Sequence, residues 1–103
     1  MGRLSYLSQT YWGNLRRNII HGCEDRRHVN YHRLGARGIK VCDQWRGRDG
    51  LKAFRDDIVS EIGDRPSSAH GLTRINECQD FEPGNMCWLT NADRAVRRAR
   101  RLE

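Results

Sequence analysis

The chain reads as an α+β domain, and three observations predict it. The stretch from His70 to Thr90 carries two short apolar segments, 71–75 and 86–89, around a polar loop that holds the only Pro-Gly pair. Pro fixes φ and Gly permits φ > 0, so this is the pattern of a hairpin. An arginine-rich helical pattern follows at once, and two upstream stretches repeat apolar residues at helical spacing. Short antiparallel strands, two amphipathic helices and a basic C-terminal helix are therefore expected, in one domain over 1–103.

Ser8 is placed to cap a first helix over 8–20. Tyr11, Trp12, Leu15, Ile19 and Ile20 share one face of it, most simply a core face. Arg16 and Arg17 are left for phosphate or water. His21 to Leu34 is polar and holds three of the four histidines together with Cys23. His28 and His32 have the i, i+4 spacing with which a helix can hold a metal. No acid or thiol stands at matching spacing, so loop histidines, able to make anion affinity pH-sensitive, are expected instead.

Gly35 to Gly38 reads as a turn carrying Arg37. A short half-buried strand is expected over 38–43, because Ile39-Lys40-Val41-Cys42 alternates apolar and polar residues. Lys40 would point away from the core, toward phosphate. After a charged loop, Leu51, Phe54, Ile58, Val59 and Ile62 give a helix over 50–62 its buried stripe, and Gly63 and Pro66 stop it. The hairpin is expected over 70–89. The last helix, over 91–101, starts behind Thr90 as N-cap, with Asp93 in the place of the usual capping-box Glu. Ala92, Ala95, Val96, Ala99 and Leu102 give it a thin apolar face, and Arg94, Arg97, Arg98, Arg100 and Arg101 cover the rest. Its like-charge pairs at i, i+4 repel. The helix dipole and an anionic partner would relieve them.

Formal charge is +6, and 17 of the 19 basic residues are Arg. Arg offers a rigid fork to phosphate and guanine edges. A solvated surface is one reading of this bias, and a polyanionic partner is the other. No apolar run approaches the roughly 20 residues that cross a bilayer. The first residues lack the apolar core of a signal peptide, so an intracellular protein with reduced thiols is expected, with no membrane partner. Cys23, Cys42, Cys78 and Cys87 form no Cys-x-x-Cys pair. Structural zinc on Cys23, Cys42 and Cys87 stands against plain buried thiols.

Four blocks stand out: Cys23 after the first helix; Leu34-Gly35-Ala36-Arg37-Gly38-Ile39-Lys40-Val41-Cys42-Asp43-Gln44-Trp45; Leu72-Thr73-Arg74-Ile75-Asn76; and Phe81-Glu82-Pro83-Gly84-Asn85-Met86-Cys87-Trp88-Leu89-Thr90. In this order they resemble the small phage proteins described as HNH endonucleases, across about residues 10–101. The resemblance implies a ββα-metal fold working in the cytoplasm of an infected bacterium. It also implies phosphodiester cleavage with Mg²⁺ or Mn²⁺ beside the scissile phosphate and a base for the attacking water. Of the residues such a site uses, Asn85 matches. Thr73 and Asn76 stand where the resemblance places carboxylates, Arg74 where a stronger motif places the base His, and Arg94 near the last metal ligand. Arg cannot take a proton at useful pH, and hard cations want carboxylate oxygens. Met86-Cys87 also shifts a family thiol by one position, which along a strand reverses its face.

The expected function is a DNA-binding protein on a decayed nuclease scaffold, with weak or lost cleavage. Arg37, Lys40, Arg74, Arg94, Arg97, Arg98 and Arg101 would contact double-stranded DNA. One alternative is an active nicking or homing endonuclease, in which Asn85 and His70 serve catalysis and Glu77, Asp80 and Glu82 hold the ion. The other is a phage effector whose arginines enter an acidic groove of a host protein.

Overall fold

The computed structural model describes residues 7–101. Helix α1 spans Gln9–Glu24. The Ser8 side chain accepts a hydrogen bond from the Tyr11 amide and so caps it. The helix runs four residues past the expected end, taking in Gly22 and Cys23. Gly22 is tolerated there because Leu34 packs over it, 2.8 Å from where a Cβ would stand. Three short 3₁₀ turns follow, at Tyr31–Arg33, Gly35–Arg37 and Asp43–Trp45.

The strand expected over 38–43 is reduced to one parallel bridge between Val41 and Phe81. The Phe81 amide donates to the Lys40 carbonyl and the Cys42 amide to the Phe81 carbonyl, and the turns on both sides end the pairing there. Side-chain alternation identified the extended backbone, but it gave no second strand long enough to pair with.

Helix α2 spans Gly50–Ile62, the expected limits. Its first residue must be small, because a Cβ on Gly50 would collide with the Trp45 backbone. Strands β1 (His70–Arg74) and β2 (Met86–Thr90) pair antiparallel, His70 opposite Thr90 and Arg74 opposite Met86. Helix α3 follows directly over Asn91–Arg101, with the Thr90 hydroxyl accepting from the Asp93 amide as the capping pattern requires. Leu102 and the Arg101 side chain lie outside the described residues.

The core joins both amphipathic helices to one face of the hairpin. Phe54 lies edge-on to Trp12 and to Trp45, with ring centroids 5.8 and 5.2 Å away. Such contacts add to simple area burial. Trp88 meets Trp12 edge-on at 6.1 Å from the hairpin side. Ile19, Ile39, Val41, Ile58, Val59, Phe81 and Met86 fill the remainder. Polar groups at the core's edge are tied in: the Trp45 indole donates to Asp57 at 2.8 Å, and Arg16 donates to the Trp45 and Gly47 carbonyls. Arg16 is thus a brace between α1 and the turn ahead of α2, not a residue waiting for phosphate.

Candidate nucleic-acid interface

Strand periodicity places Leu72 and Trp88, a cross-strand pair, on the core face of the hairpin. Gly71, Thr73 and Cys87 therefore take the other face, and α3 lies there. The Arg94 guanidinium rests directly on Gly71, where a Cβ would leave it no room. Arg97 donates to the Ile75 carbonyl at 3.1 Å and stands 3.9 Å from the Glu77 carboxylate.

This docking inverts the expected helix. Arg94, Arg97 and Arg98 turn toward the body of the protein and line a cleft. Ala92, Ala95, Val96 and Ala99 turn to solvent, Val96 at 50 % exposure. The inversion has a physical cause. Three Ala and one Val bury little area, so the hydrophobic gain from turning them inward is small. The arginine side finds the Ile75 carbonyl, the Glu77 carboxylate and a glycine bed.

The cleft has a volume of about 430 Å³ and runs along β1 between α1 and α3. Its α3 wall is basic. Opposite it, Tyr11, Leu15 and Ile19 of α1 and Leu34 of the following turns present apolar surface, with Asn18 and Asn30 beside them. Among the described residues, six arginines line the cleft, including Arg33 and Arg65, against a single carboxylate, Glu77. Arg65 lies over the Tyr11 ring at 4.7 Å. Arg33 and Arg65 gave no signal in the sequence, because they come from separate connecting segments. Tyr11 and Leu15 carried a helical-face signal that did not separate core from cleft wall.

The other expected contacts divide. Arg37 and Lys40 are exposed but do not line the cleft. Arg74 reaches its floor yet is only 9 % exposed. Its Nη1 donates to the Glu77 and Gln79 carbonyls, and its guanidinium lies 4.9 Å from the centre of the Phe81 ring. Arg74 therefore clamps the hairpin loop.

Asn85 and His70 do not converge. His70 opens β1 and Asn85 adjoins the opposite end of β2. Four residues of strand, roughly 13 Å, separate those ends. Asn85 is 4 % exposed. Its Nδ2 donates to the Asn76 and Asp80 carbonyls, and its Oδ1 accepts from the Asn76 amide at 2.8 Å. That is a loop staple, with its polar atoms turned away from any substrate. His70 Nδ1 and the Ser67 hydroxyl are 2.8 Å apart, which holds the ring at the edge of the cleft.

Among the described residues, no three His, Cys, Asp or Glu side chains stand where they could share a metal ion. Cys23, Cys42 and Cys87, expected as a zinc set, are not brought together in such a group. Cys23 closes α1 in the core, whereas Cys87 lies on the α3 side of the hairpin. All four thiols are free. Burial pushes Cys23 up to about 11, against the partial opposition of Arg74. It also raises Cys42 and Cys87, so all three favour the protonated thiol. His28 lies in a bend and His32 in the 3₁₀ turn Tyr31–Arg33, so the two do not share the face of an α-helix. His28 donates from Nε2 to Asn18 and accepts at Nδ1 from the Asn30 amide, so both its nitrogens are engaged.

The ion site implied by the HNH resemblance does not fit either. Thr73 and Arg94 occupy the hairpin–helix junction, and a guanidinium there repels a cation. The loop acids are dispersed: Asp80 accepts from the Lys40 amide, while Glu77 faces Arg97. No protein-family model, curated protein or solved structure matches the chain. Among the described residues, no helix is long and apolar enough to cross a membrane.

Proposed function

We propose that this protein binds nucleic acid through the arginine-lined cleft and does so without metal-dependent cleavage. The observation that carries the reading is the Arg94 guanidinium on Gly71, flanked by Arg97 and Arg98, at the junction where a strand–strand–helix nuclease would hold its ion. Fixed guanidinium groups recognise phosphate by charge and by paired N–H donors. They can neither activate a water nor accept a proton. The dispersal of Asn85, His70 and the loop acids supports the absence of cleavage.

Filter binding to DNA across a salt series tests the first part. Engagement of three or four phosphates gives a log–log slope of about −2 to −4. Arg94→Ala should make that slope shallower by roughly one phosphate contact. Chelation of divalent cations should leave affinity unchanged, and supercoiled plasmid should stay intact in Mg²⁺ or Mn²⁺ at protein excess. A salt-independent affinity refutes the binding reading. Nicking that requires added Mg²⁺ or Mn²⁺ refutes the loss of cleavage.

A further inference from the structure

We propose that the cleft takes a single unpaired nucleotide of a single-stranded segment, its base against the α1 wall and its phosphate against α3. The inference rests on the nucleic-acid reading above and specifies the form of ligand.

Three features lead to it. The walls differ in chemistry: Tyr11, Leu15, Ile19 and Leu34 present apolar surface edged by the amides Asn18 and Asn30, and Arg94, Arg97 and Arg98 present charge. A nucleotide has the same two-sided character, one flat apolar face and one anionic end. The volume of about 430 Å³ lies in the range of small-ligand sites, too small for a duplex, whose bases are stacked inside. Within the lining, Arg65 lies over the Tyr11 ring, and guanidinium and aromatic planes are the surfaces on which unstacked bases settle. Finally, α3 is turned the wrong way to read a major groove. Its outward side is mostly Ala92, Ala95, Val96 and Ala99, with Arg100 its one described arginine away from the cleft, while Arg94, Arg97 and Arg98 line the cleft.

Calorimetric titration of the full chain with a 12-nucleotide single strand, and with the blunt duplex of the same sequence, decides the matter. The single strand should bind at least about tenfold more tightly at equal salt. Electrostatics alone orders the two oppositely, because the duplex has the higher charge density and the steeper salt response. Leu15→Ser should weaken single-strand binding about three- to tenfold with the salt slope intact. Arg98→Ala, at an exposed position, should weaken binding and flatten the slope. A nucleoside 5′-monophosphate should displace the strand at lower concentration than inorganic phosphate does. Equal or tighter duplex binding, or equal displacement by the two small anions, overturns the unpaired-nucleotide inference and leaves nucleic-acid binding standing. Failure of both oligonucleotides to bind overturns the nucleic-acid reading and the inference with it.

Discussion

Asn85→Ala removes three hydrogen bonds from a residue that is 4 % exposed, and leaves two loop carbonyls and one amide without their partner. Unsatisfied buried groups carry the larger part of such a loss, so about 3 kcal/mol of stability should disappear. In a domain of this size that lowers Tm by more than about 10 °C, measurable by a thermal melt. In the sequence the position stood out only through the resemblance described above. Its role was not legible, because a motif names a residue type and only the register shows what its amide faces. Cys23 supports a second prediction at this scale. Its folded pKa, about 11, lies above its ordinary value of 9.0. The folded state therefore holds the proton more tightly, and the stability this gives is intact below about pH 9. It declines as pH rises toward 11. Urea melts across that window should show the decline, and Cys23→Ala should make it shallower.

At the scale of elements, α3 depends on its cap and on a glycine beneath it. Thr90→Ala deletes the hydroxyl that accepts from Asp93 and should cost about 1 kcal/mol. Faster amide hydrogen exchange confined to the first turn of α3 would register it. Gly71→Ala forces the Arg94 guanidinium off the strand with every charge retained. Its expected effect is a several-fold loss of nucleic-acid affinity with little change in Tm. Affinity equal to that of the parent protein would show that Arg94 does not act from that bed. The limits of α2 and both caps were legible, because caps, stops and large apolar residues at regular spacing are local signals. The direction faced by α3 was not. An apolar stripe made of Ala and Val is a weak guide to the inside, and the bed that receives the arginines comes from a strand some twenty residues earlier.

For the whole molecule, the hairpin separates two environments. One face closes the aromatic core with α1 and α2, the other supports α3, and the charged cleft opens along β1 with residues of both faces at its edge. The α+β composition and the strand–loop–strand–helix order were visible in the sequence. The cleft was not, since Tyr11, Arg33, Arg65 and Arg94 are brought together only by tertiary packing. The same division settles where the indoles lie. Trp12 and Trp45 are fully enclosed, and Trp88 is anchored by its Nε1 to the Gly63 carbonyl. None of the three borders the cleft. Intrinsic tryptophan emission is consequently a gauge of the folded core that an arriving strand has no direct means to quench. For any cleft substitution, an unshifted spectrum beside a weakened titration assigns the defect to recognition, whereas a red shift assigns it to collapse of the scaffold.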